Sequence, residues 1–63
     1  MKELTQDAID SYIKYLMMIR ISYGSFIYKE HCNRAIRNAT SNYGKKQTEK
    51  LIEAIRERIE KRG

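Results

Sequence analysis

Only two interior residues of this 63-residue chain are strong helix breakers, Gly24 and Gly44, and no proline occurs anywhere. They divide the chain into three stretches of similar length, and each stretch carries apolar residues at helical spacing. The first runs from about Thr5 to Tyr23. Thr5 suits an N-cap, and Asp7 and Asp10 place negative charge in the first turns, where the helix dipole favours it. Ile9, Tyr12, Ile13, Leu16, Ile19 and Tyr23 recur at steps of three and four. Met17, Met18 and Ile21 widen that stripe, so the helix has neighbours on more than one side.

The second stretch runs from about Ser25 to Tyr43. Tyr28, Cys32, Ala35, Ile36, Ala39 and Tyr43 share one face, and Glu30, Arg34, Arg37 and Ser41 share another. Small residues at 35 and 39 allow another helix to approach closely. Ser41-Asn42-Tyr43-Gly44 reads as a stop, with Gly44 suited to a left-handed conformation. The third stretch runs from about Lys46 to Arg62, with Thr48 or a residue just before it as cap. Leu51, Ile52, Ile55 and Ile59 make a narrow apolar stripe. Glu53 with Arg56 and Glu57 with Lys61 are candidate pairs along the helix, each worth only ~0.2–0.5 kcal/mol.

Residues 19–28 admit three readings. Ile19 to Tyr28 is rich in β-branched and aromatic residues and partly alternates, so a strand or a hairpin at Tyr23-Gly24 fits it. Helical periodicity on both sides of Gly24 supports helix, break, helix. A helix running through Gly24 costs only ~1 kcal/mol, so a long helix folded on a shorter one also fits.

A chain this short makes one domain, residues 1–63, and its stability is marginal without help. The single Cys32 excludes an internal disulfide, and His31 with Cys32 cannot furnish four zinc ligands within one chain. No metal and no cofactor is expected. Self-association is the remaining stabiliser, most simply as a homodimer. Ile9, Ile13, Leu16, Ile19, Ile36, Leu51, Ile55 and Ile59 are the expected core and dimer residues. Lys2 and Glu3 lead into polar residues and the longest apolar run is Leu16 to Ile19, so neither a leader nor a membrane span is expected. The expected setting is cytoplasmic, with a reduced thiol.

Charge separates the two halves. Residues 1–28 hold three basic and three acidic groups, whereas residues 29–63 hold ten and five, so the whole formal charge of +5 lies in the second half. Lys29, Arg34, Arg37, Lys45 and Lys46 face only Glu30 between positions 29 and 46. Asn38, Thr40, Asn42 and Tyr43 add hydrogen-bonding groups. A neutral, apolar half and a basic, donor-rich half point to a packing part and a polyanion-binding part. Enzyme chemistry finds no footing. Adjacent His31 and Cys32 point about 100° apart on a helix, and no phosphate loop, metal-spaced cluster or nucleophile motif is present.

Gly44, Thr48, Glu49, Ala54, Ile55, Arg56 and Glu57 resemble the turn and second helix of ribbon-helix-helix DNA-binding proteins, and Ile36 and Ala39 fall where that family's first helix is apolar. That resemblance implies an intertwined dimer. It also implies a two-stranded ribbon in the major groove and phosphate contacts from the turn and the second-helix N-terminus. The segment in the ribbon's place, Tyr23 to Tyr28, contains Gly24, and a long amphipathic stretch precedes it. The second half is also similar to the helical core-binding domain of tyrosine recombinases through Ser25, Tyr28, Tyr43-Gly44-Lys45-Lys46 and Leu51. That likeness implies a helical DNA clamp.

The expected fold is therefore all-α: two or three helices in a small bundle completed by dimerisation, or a ribbon-helix-helix unit with an extra N-terminal helix. The expected function is that of a small DNA-binding or DNA-associated protein in transcription regulation, not an enzyme. Arg34, Arg37, Lys45 and Lys46 are its phosphate contacts, and Asn38, Thr40, Asn42 and Tyr43 are secondary ones. The rival is a helical protein–protein adaptor using an Ile/Met/Tyr surface. An exposed Met17, Met18, Ile21 and Phe26 patch in the oligomer favours the adaptor, and a buried patch beside an exposed basic ridge favours DNA.

Overall fold

The computed structural model describes residues 2–62. Three helices make up the chain: α1 (Gln6–Tyr23), α2 (Ser25–Tyr43) and α3 (Lys45–Arg58), followed by a single 3-10 turn at Glu60–Arg62. Every pair of helices is in contact. The bundle is elongated, 34 × 18 × 15 Å. Among the described residues there is no strand.

Each helix junction is one glycine. Gly24 has φ 91° and ψ 176°, and Gly44 has φ 91° and ψ 162°. Positive φ with ψ near 180° is territory that only glycine enters without strain. The Gly24 N–H donates to the Arg20 carbonyl, and its own carbonyl accepts from Tyr28 N–H. Gly44 repeats the arrangement with Thr40 and Thr48. One residue thus closes a helix and opens the next. This settles residues 19–28 as the end of α1, the Gly24 break and the start of α2. The hairpin and the uninterrupted helix are both corrected, since Gly24 takes neither strand pairing nor helical dihedrals. The ribbon of the ribbon-helix-helix alternative is likewise absent, because residues 25–28 are the first turn of α2.

Local signals explain the helix starts. Thr5 caps α1, its Oγ1 accepting from Ala8 N–H at 3.2 Å, and Asp7 occupies the first turn. Leu4 and Ile9 hold the N′ and N4 positions of a hydrophobic staple, and both are buried. Thr48 is not a cap. α3 begins directly after Gly44, and Thr48 lies buried inside it, its hydroxyl donating to the Gly44 carbonyl at 2.9 Å.

All three helices contribute to the core. Ile9, Ile13, Leu16 and Ile19 from α1 meet Tyr28, Cys32, Ala35 and Ala39 from α2. Leu51 and Ile55 from α3, with Ile59 just beyond it, close the third side, and Ile36 packs half-buried against them. Ala39 is fully buried, so α2 offers a backbone-close surface there. Of the candidate pairs along α3, Lys61 meets Glu57 at 3.5 Å. Arg58 reaches instead across the bundle to Asp10 on α1. The Arg58 guanidinium, helped by Gln6, holds the Asp10 carboxyl below its usual range.

Two protonated groups sit side by side in this core. Tyr28 is buried with its hydroxyl lacking a hydrogen-bond partner, and Cys32 lies next to it. Burial pushes both the phenol and the thiol up from their ordinary values near 10 and 9. A raised acid releases its proton first in the unfolded chain. The stability it contributes is whole below its ordinary value and declines as pH rises past it. Urea unfolding midpoints are therefore expected to drop above about pH 9. The combined Tyr28→Phe and Cys32→Ala replacement should flatten that drop, and an unchanged alkaline slope would count against it.

Candidate nucleic-acid interface

The basic residues singled out by sequence all reach solvent. Arg34, Arg37, Lys45 and Lys46 are exposed, and among the described residues none has a carboxylate within ion-pair distance. Arg34, Arg37 and Ser41 follow the outward face of α2 at steps of three and four, opposite the buried Tyr28, Cys32, Ala35 and Ala39. Arg34 also borders the groove between α1 and α2, beside Tyr12, Tyr15, His31 and Asn38. Lys45 and Lys46 form the first turn of α3, which has no side-chain cap and no acidic residue.

The helix N-terminus itself adds less than the sequence implied. With only Gly44 between them, the carbonyl end of α2 and the N–H end of α3 adjoin. Their opposite partial charges offset one another at the turn. Side-chain charge therefore carries the electrostatics of this end of the molecule.

The neutral candidates are largely occupied by the fold. Asn38 Oδ1 accepts from the Tyr12 hydroxyl at 3.0 Å and from Asn42 Nδ2 at 3.0 Å. The Thr40 hydroxyl donates to the Ile36 carbonyl at 2.8 Å, so its proton is spent inside α2. Tyr43 is half-buried and packs against the core. Asn38, Thr40 and Asn42 are thus engaged within the fold, and the donors left over among the candidates are the four cations, the spare amide hydrogens of Asn38 and Asn42, and the Tyr43 hydroxyl.

Two polar features went unread in the sequence. Tyr15 Oη and His31 Nδ1 lie 2.6 Å apart, with their rings edge to face, tying α1 to α2. Arg20 turns inward, donating to the Ile59 carbonyl at 3.1 Å with its guanidinium carbon 5.7 Å from the Tyr28 ring centroid. A lone cation on the otherwise apolar side of α1 was the available signal for Arg20. Nothing in the spacing marks the Tyr15–His31 pair, which depends on how two helices align.

No helix among the described residues is long and apolar enough to cross a membrane. Compared with known proteins, the chain matches no family model, no curated protein and no solved structure.

Proposed function

We propose that this protein binds duplex DNA through phosphate contacts from Arg34, Arg37, Lys45 and Lys46. It acts without catalysis of its own, as a DNA-associated regulator in the reducing interior of the cell. The observation that carries the reading is the exposure of all four cations with no carboxylate among the described residues paired to them. Such groups exchange condensed counterions for protein charge, so binding should weaken steeply as salt rises. Two chains acting as a pair would double the number of phosphates engaged.

The test is a fluorescence-anisotropy titration with random-sequence duplex at two salt concentrations. Micromolar binding that collapses with salt is the expected result. Replacing Lys45 and Lys46 together by alanine should reduce the slope of log K against log salt by about 2, near 0.9 per lost phosphate contact. The variant should melt like the parent, since both side chains are exposed. Absence of binding at low salt would remove the reading, and unchanged binding by the variant would remove the site.

The adaptor reading draws on a separate observation. Met18, Ile21 and Phe26 are exposed in the single chain, while Met17 is half-buried against the core. A surface of that kind has an apolar partner.

A further inference from the structure

We propose that the Gly24 end of the bundle is the docking surface for a second copy of this chain. Six large apolar side chains are exposed among the described residues, and five of them lie between Tyr15 and Phe26. Met18 and Ile21, one helical turn apart on the outer side of α1, are 61% and 83% exposed. Tyr23 and Phe26 flank the Gly24 junction and are 66% and 73% exposed. Five exposed large apolar side chains within twelve residues of sequence are more concentrated than the single scattered ones usual on a monomer.

Charge identifies the occupant. From Tyr15 to Tyr28 the only charged residue is Arg20. Its guanidinium faces inward onto the Ile59 carbonyl and the Tyr28 ring. The apolar stretch itself thus presents no exposed charge on a chain of net charge +5, and the exposed charges that border it, Lys29, Glu30, Glu60 and Lys61, are two of each sign. α2 has 19 residues, which sets Lys45 and Lys46 about 28 Å away at its other end. Two chains of the same sign repel wherever their cationic faces meet. At the Gly24 end a symmetric contact brings apolar surface to apolar surface and leaves both basic turns free. A standard interface takes about 800 Å² per partner, roughly a sixth of the 4912 Å² surface of the chain. The inference rests on the proposed pairing of two chains and does not depend on DNA binding.

The experiment is sedimentation velocity on the full chain from micromolar to millimolar concentration, without DNA. The parent chain is expected to pass from monomer to dimer. The Ile21→Glu and Phe26→Glu double variant should shift that transition to at least about thirtyfold higher concentration, with helicity by circular dichroism unchanged. The Lys45→Ala and Lys46→Ala variant should dimerise like the parent. As a second measurement that alters no apolar contact, Ser25→Cys should form an intermolecular disulfide under mild oxidant, and Lys46→Cys should not. A parent chain that stays monomeric throughout would overturn the pairing itself. A dimer indifferent to the double variant, with no crosslink at position 25, would overturn its location. Monomer binding to anionic lipid vesicles that the double variant abolishes would assign the surface to a membrane instead.

Discussion

Leu51→Ala is expected to leave the chain unfolded or close to it under ordinary conditions. Leu51 is 0% exposed and belongs to the core that α3 shares with both other helices. Truncating a buried leucine costs about 2–5 kcal/mol, because a cavity remains where the side chain was. A chain of 63 residues has roughly 3–9 kcal/mol of total stability at 0.05–0.15 per residue. The loss is thus comparable with everything that holds the fold. Thermal melting followed by circular dichroism should show the midpoint fall by at least about 10 °C. Ile52→Ala is the control, since its side chain is next in sequence but 36% exposed. A Leu51→Ala midpoint no lower than that of Ile52→Ala would contradict the core described above.

Gly24→Ala is expected to lose about 1–3 kcal/mol, entirely from the backbone. A Cβ at this position meets nothing within 4 Å, so no clash contributes. The penalty arises because φ of +91° is a conformation that an L-residue with a side chain avoids. A chain of this length is accessible to chemical synthesis, which permits a sharper comparison. In D-alanine the mirrored map places these dihedrals in ordinary extended territory. Chemical denaturation should therefore find L-alanine destabilising and D-alanine close to the parent or better. Equal losses from both enantiomers would show that the site resists a side chain of either hand.

Much of this fold was legible because its determinants are local. Apolar spacing identified the buried side of α1 through Ile9, Ile13, Leu16 and Ile19. It also found the buried side of α2 through Tyr28, Cys32, Ala35 and Ala39. Gly24 and Gly44 marked both junctions, and Thr5 marked the first cap. Thr48 misled because a threonine near a helix start resembles a cap. Glycine at the junction already opens α3, so the hydroxyl turns back to the Gly44 carbonyl. Leu4 lay outside the periodic stretch, although its staple relation to Ile9 was readable.

The candidate interface was legible only in part. Exposure of Arg34, Arg37, Lys45 and Lys46 followed from their helical positions. The engagement of Asn38 with Tyr12, and the inward turn of Arg20 toward Ile59, depend on distances across 26 and 39 residues of sequence. No periodicity encodes such register. Met18 and Ile21 read both as widening the buried stripe and, with Met17 and Phe26, as the surface of an adaptor, because sequence shows hydrophobicity without showing which side of a helix runs out of neighbours.

The one-residue junctions also bear on how the chain reaches its native state. Helices joined by a single residue are held at high effective concentration, so α1 with α2 and α2 with α3 can close like zippers from their glycines. Only the docking of α1 on α3 must wait for all three helices. With no proline to isomerise, the kinetics should lie at the fast end known for helical bundles, microseconds to milliseconds. A chain that collapses so readily spends little time with its unfinished surfaces exposed, and at this size speed offers protection that a large core would otherwise supply.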